Sequence, residues 1–168
     1  FGVEIEHSDT GRVHLAAENQ PEAEVVKVRK QLAGSFGRVN TKEPVLEKSI
    51  RLYLALKEVL EKEKYGIAAL KCQEEMINSY ACFCLAASLL NNEGFTISCE
   101  ADINAALTMN VLRTISGGIA LFGDVNHLDH ERGELRIVNC GSMPTLMADG
   151  EKKADLENQY EYMGEAGG

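Results

Sequence analysis

Two carboxylates occupy positions where an open parallel sheet does its chemistry. Glu100 closes the apolar run FTISCE (95–100) and Asp124 closes GIALFGD (118–124). In open α/β sheets ligands bind beyond the carboxyl ends of the strands, where side chains and backbone groups converge. Two acids on one such edge repel each other, and a divalent cation is one way to satisfy both. The same acids also have a plainer use, capping the helix that follows each strand. Spacing alone leaves both readings open. Other polar groups fall on that edge: Gln73 after GIAALKC (66–72), Asn126 beside Asp124, and Asn139 to Ser142 (NCGS) at the end of ELRIVNC (134–140). The small residues of NCGS let a backbone approach a ligand closely, although a tight turn needs the same letters.

The elements that position these residues follow from hydrophobic periodicity. Gly2 to His7 alternates Val3 and Ile5 with Glu4 and Glu6, the pattern of a half-exposed strand. Pro21 suits the first turn of a helix that runs to about Leu32 and stops at Gly34 and Gly37. Pro44 opens a longer amphipathic helix through Leu46, Ile50, Tyr53, Leu56 or Lys57, and Leu60, with EKEK (61–64) as a solvated end. GIAALKC reads as a buried strand. A helix around Ala81 to Leu90, ended by Asn91, Asn92 and Gly94, leads into FTISCE. Asp102 caps a helix through Ile115 that Gly117 and Gly118 end, and GIALFGD and ELRIVNC supply two more strands. Strands separated by helices predict an α/β fold, doubly wound and mostly parallel, with helices on both faces (Rossmann-like). The expected organisation is one domain over 1–148 and a polar tail or linker over 149–168.

Composition narrows the function classes. With 168 residues, 45% apolar and 26% charged, the chain buries one core of ordinary size. A formal charge of -9 repels phosphate backbones and anionic lipid heads, which argues against nucleic acid and membrane surfaces. No apolar run reaches the roughly 18 to 20 residues of a membrane span, and FGVEIEHSD lacks the order of a signal peptide. Cys72, Cys82, Cys84, Cys99 and Cys140 lie mostly in apolar segments, as buried free thiols of a reducing cytoplasm do. Cys82 and Cys84 flank Phe83 without a second CxxC pair or a nearby histidine, so core packing is preferred to a thiolate metal site. No GxGxxG or GxxxxGK[ST] loop follows a strand, and no GxSxG elbow is present, which disfavours nucleotide binding and serine hydrolysis.

Three stretches carry a resemblance. SCEADINAALTM (98–109), LFGDVN (121–126) and NCGS (139–142) resemble the second domain of L-fucose isomerases and, more distantly, of L-arabinose isomerases, over most of residues 20 to 148. The resemblance implies aldose-ketose isomerisation through an enediol, in a cytoplasmic homo-oligomer. It assigns Glu100 and Asp124 as metal ligands and catalytic acids or bases, with Gln73, Asn126, Asn139 and Ser142 toward the sugar. The implied metal is Mn2+ or another divalent cation, whose remaining ligand is a histidine from a later, C-terminal domain. This chain is therefore expected to be a fragment, folded but inactive alone. His127 and His130, in NHLDHERG, are expected as exposed loop residues; His7 and His14 have no partner pattern. A non-catalytic sugar-binding or regulatory module of the same fold is the competing reading, since fold does not fix function.

Overall fold

The computed structural model describes residues 2–71, 75–148 and 150–158. Residues 2–9 form no regular element, and Val3 and Ile5 are about half exposed. The alternation there is that of a strand, but among the described residues no neighbouring strand takes up its backbone groups. An unforeseen helix, α1 (Thr10–Glu18), follows, capped by the Asp9 carboxylate, which accepts from the Gly11 N–H at 2.7 Å.

Helix α2 (Glu22–Ser35) starts directly after Pro21 and buries Val25, Val28 and Leu32. Helix α3 (Glu43–Glu63) carries Pro44 in its first turn and buries Leu46, Ile50, Tyr53, Leu56 and Leu60, as the periodicity predicts. It ends at Lys64, in the left-handed conformation with φ 60°, and residues 61–64 are exposed. Glu93 reaches back to this helix, accepting from the Tyr53 hydroxyl and pairing with Lys57 at 2.6 Å. Burial and this hydrogen bond both push the Tyr53 phenol above its ordinary range.

Strands β1 (Val39–Asn40) and β6 (Leu156–Glu157) pair in parallel. This clasp lies inside the segment whose polar composition reads as a tail. Leu156 is buried in the core, and Arg38 donates to Asp155 at 2.6 Å, holding that carboxyl below its ordinary value. Composition averages over such a stretch, whereas one apolar side chain and one ion pair are enough to dock it.

The central parallel pair is β2 (Ile67–Ala69) with β3 (Thr96–Ser98). Short helix α4 (Glu75–Ser79) and helix α5 (Cys84–Asn92) lie between them in sequence, and α6 (Ile103–Ser116) follows β3. All three residues of β3 are buried. Toward β2, the Thr96 N–H donates to Gly66 O at 2.9 Å and Ser98 O accepts from the Leu70 N–H at 3.0 Å. Ile97 alternates to the other side, where the Asn91 carboxamide bonds both its N–H and its C=O at 2.9 Å. Asn91 thus does for one residue what a neighbouring strand would do. Helix α6 begins and ends as expected, with Asp102 Oδ1 accepting from the Ala105 N–H at 2.8 Å and Gly117 closing it at φ 66°.

The α/β class holds, with short parallel and antiparallel pairs. Among the described residues the sheet is three separate two-stranded pairs rather than one continuous layer. GIALFGD does not join β3: residues 119–123 run without regular structure, and Asp124 opens a hairpin. Its arms, β4 (Asp124–Asp129) and β5 (Glu134–Val138), are antiparallel, and ELRIVNC is therefore a hairpin arm instead of a sheet strand. The physical reason lies at Ile97, whose outward backbone groups are already taken by Asn91.

This arrangement predicts a large effect for a small change. Asn91→Ala leaves the buried Ile97 N–H and C=O without partners, at a cost of about 1–3 kcal/mol per group. Urea denaturation of the intact protein should show a lower midpoint with little change in slope. An unchanged midpoint would mean that Asn91 does not brace β3.

Candidate functional site

Glu100 stands two residues beyond the carboxyl end of β3, on an exposed turn before α6. Its backbone is left-handed, φ 59°, and so is that of Ala101, φ 56°. Successive non-glycine residues in this region are uncommon, and each costs about 1–2 kcal/mol. The turn is held by the Ala101 N–H donating to Leu70 O at 2.9 Å and the Asp102 N–H donating to Cys99 O at 3.1 Å. Such conformations persist only where the surroundings over-determine them, and they concentrate at functional sites. Nothing in the sequence marked this conformation, because left-handed turns usually advertise themselves through glycine or asparagine.

Asp124 is exposed at the first position of β4, opposite Val138. Gly123 brings it there. A Cβ at Gly123 would meet Val138 O at 2.8 Å and Ile137 Cγ2 at 2.6 Å, so only glycine lets the chain pass this close. Asn126 is exposed on β4, between Val125 and His127, where the hairpin register shifts. His127 lies on β4 itself and His130 in the turn of the hairpin, both exposed. Asp129 closes that turn, accepting from the Glu131 and Arg132 N–H groups at 3.0 Å. Gln73 lies outside the described residues.

Asn139 organises the NCGS turn. Its Oδ1 accepts from Gly141 N at 3.0 Å, Ser142 N at 2.7 Å and the Ser142 hydroxyl at 2.8 Å, while its Nδ2 donates to Phe122 O at 3.1 Å. Ser142 is buried and its hydroxyl is engaged within the turn. One side chain therefore fastens the turn to the segment that delivers Asp124. Ser88 of α5 secures the turn's far side by donating to Met143 O at 2.6 Å.

A second set of contacts joins this turn to β3. The Cys140 sulfur lies 3.9 Å from that of Cys99, the residue before Glu100, and 4.0 Å from that of Cys84 at the start of α5. Thiol hydrogen bonds from Cys84 and Cys99 hold the Cys140 thiol well below its ordinary range, outweighing the burial that pushes it up. Cys84 and Cys99 are buried, as expected for core thiols, while Cys140 is half-buried; none of the four described cysteines forms a disulfide. The sequence gives no sign of this trio, because residues 84, 99 and 140 follow no ligand or redox spacing.

The turn after β3, the Gly123–Asp124 segment and the NCGS turn are thus linked through Cys99–Cys140 and Asn139–Phe122. Glu100 and Asp124 supply oxygen donors of the kind a hard divalent ion takes. Among the described residues no group of three His, Cys, Asp or Glu side chains could hold a metal ion. The donor chemistry fits such an ion, and the set is incomplete. Among those residues no helix is long and apolar enough to cross a membrane.

This chain, an α/β frame with one acid just beyond a buried strand, is similar in sequence to sugar isomerases. The relatives are sulfoquinovose isomerases: one from Priestia aryabhattai is 26% identical over 148 residues, covering 84% of this chain and 32% of the relative. One from Alkalicoccus urumqiensis is 27% identical over 148 residues, with the same coverage, and one from Clostridium sp. (strain MSTE9) is 25% identical over 158 residues, covering 93% and 35%. The chain spans about a third of the length of these relatives. No family model matches it. The resemblance to isomerases therefore stands at the level of sugar isomerases, and L-fucose is a finer assignment than these relatives carry.

The hub role of Asn139 is open to test. Asn139→Ala removes all four hydrogen bonds of the turn, each worth about 1 kcal/mol. In hydrogen exchange on the intact protein, the Gly141 and Ser142 amides should exchange on the order of tenfold faster or more. Unaltered protection of both amides would show that the turn is held by something else.

Proposed function

We propose that this chain is the portion of an aldose-ketose isomerase that carries two of its active-site acids, Glu100 and Asp124, and that it acts on a sugar within a longer parent enzyme. The observation that carries the reading is the strained left-handed turn that presents Glu100 just beyond the buried β3. It gains weight from the sulfoquinovose isomerases that match the region. A sulfonated aldose is accordingly the first substrate to try, ahead of L-fucose or L-arabinose.

In this reading Glu100 and Asp124 hold a divalent ion such as Mn2+, with a histidine contributed by a part of the enzyme outside this chain. The ion, when bound, supplies Lewis-acid polarisation of neighbouring sugar oxygens. Glu100 and Asp124 also accept and return the proton that moves between adjacent sugar carbons as the aldose passes to the ketose. Asn126 and Gln73 are assigned to sugar hydroxyls, and the Asn139–Ser142 turn offers them its backbone. Ser142 contributes through that turn, since its own hydroxyl is bonded to Asn139. Parent enzyme and oligomer partners also account for the apolar side chains left open here, among them Ile115 at 79% and Val125 at 66% exposure. The alternative, a binding module without catalysis, predicts sugar binding with no conversion.

Two measurements decide between them. The full-length parent, incubated with an aldose and manganese, should form the matching ketose, whereas the isolated chain should not, because it lacks one ligand and the substrate walls. Glu100→Gln and Asp124→Asn in the parent each keep size and much hydrogen bonding but remove a charge and a proton acceptor. Turnover at saturating manganese should fall about a hundredfold to ten-thousandfold. His130→Ala, in the exposed hairpin turn, should change it by a small factor. Near-normal turnover in both acid variants would sink the assignment.

A further inference from the structure

The Cys84–Cys99–Cys140 contact brings together three thiols from positions well apart in the sequence. Cys140 is the accessible member: it is half-buried, while Cys84 and Cys99 are exposed by only 1% and 5%. Its sulfur faces both others at hydrogen-bonding range, and the Cys84 thiol also points at Cys140 O, at 3.7 Å. A disulfide needs sulfurs about 2.05 Å apart, so closure asks for a shift of roughly 2 Å. Cys140 sits between Asn139 and Gly141, and Gly141 has φ 132°, a backbone conformation that side chains rarely adopt.

We propose that Cys140 is an oxidation site at which a hydroperoxide makes a sulfenic acid and one of its two buried neighbours, Cys84 or Cys99, resolves it as an intramolecular disulfide. In the first step the Cys140 thiolate attacks a peroxide oxygen and the O–O bond breaks. The sulfur is oxidised, the peroxide is reduced, and the departing oxygen leaves as water after taking a proton. In the second step the neighbouring thiol, giving up its proton, attacks the Cys140 sulfur. The S–O bond breaks and hydroxide leaves as a second water. With hydrogen peroxide, two thiols and one peroxide thus give one disulfide and two waters. Cys82, fully buried two residues before Cys84, is the other described cysteine on that segment.

The test is a thiol map of the intact parent protein, and it does not depend on the isomerase reading because no activity is measured. The reduced protein is treated with hydrogen peroxide, denatured in iodoacetamide, and cleaved after glutamates without reductant. Cleavage at Glu75, Glu93, Glu100 and Glu134 separates Cys84, Cys99 and Cys140 onto different peptides. The expected product joins the Cys140 peptide to that of Cys84 or of Cys99, lighter than the sum by two hydrogens and reverted by dithiothreitol. Fragmentation distinguishes Cys84 from Cys82 within their shared peptide. In a Cys84→Ser, Cys99→Ser double variant, Cys140 should instead be trapped by dimedone as the sulfenic acid. Recovery of Cys140 as alkylated thiol under peroxide that oxidises other cysteines overturns the proposal, and so does linkage of Cys140 to any cysteine besides these two. The wild-type map stands by itself if the double variant fails to fold.

Discussion

The hydrogen bonds between Asn91 and Ile97 are the constraint on which the rest of the structure depends. A buried strand must satisfy backbone groups on both sides, and among the described residues β3 has a strand partner on one side only. With Asn91 serving the other side, the strand can lie inside the core without a second neighbour. The Arg113 guanidinium donates to Phe95 O at the strand's entry, and the Ser98 hydroxyl bonds Asp102 O at its exit. The strand is therefore fixed at its start and middle by side chains from α6 and α5, and at its end by its own Ser98 hydroxyl on the backbone that opens α6. Its carboxyl end cannot move without disturbing α5 or α6.

That rigidity sets what the following turn can be. Glu100 and Ala101 adopt left-handed conformations that they would not choose alone, and the favourable contacts at both ends of the turn offset the strain. The NCGS turn depends on the same frame at one remove, since Ser88 of α5 anchors Met143 and Cys99 packs on Cys140. Asn139 extends the connection to Phe122, and Gly123 passes the strand of Ile137 and Val138 at a distance no larger residue allows. Asp124 is in this way positioned from its own backbone and from the turn after β5.

Local chemistry was readable in the sequence and long-range satisfaction was not. Pro21, Pro44, Asp102 and Gly117 marked helix ends because caps and stops act within a few residues. GIAALKC and FTISCE were visible as strands, and they pair in parallel, although β2 is half-buried where a buried strand was expected. GIALFGD has the same kind of composition, yet it does not join β3, because the decision was made elsewhere, by an asparagine that reads as a helix stop. The opposite error affects Gly2 to His7, whose alternation is correct for a strand that finds no partner. Glu100 was legible as a residue at a strand's carboxyl end and Asp124 was not, since it opens a hairpin strand; the backbone strain at Glu100 and the thiol trio were also hidden. Both arise from contacts between segments whose separation follows no motif.

Under the proposed reading, the exposure of both acids defines how the catalytic work is divided. A carboxylate open to water interacts through a high effective dielectric, and its pull on a cation or a developing charge is correspondingly weak. Electrostatic stabilisation becomes large only in a site from which water is excluded. Glu100 and Asp124 are exposed here, so the walls that would make their charges effective must come from parts of the enzyme that pack over them. What this chain contributes is position. The braced β3, the strained turn and the Asn139 hub fix where two carboxylates stand before anything closes on them. Pre-placed groups avoid reorganisation when the site assembles, which is where a rigid α/β frame is worth most to a reaction carried out between domains.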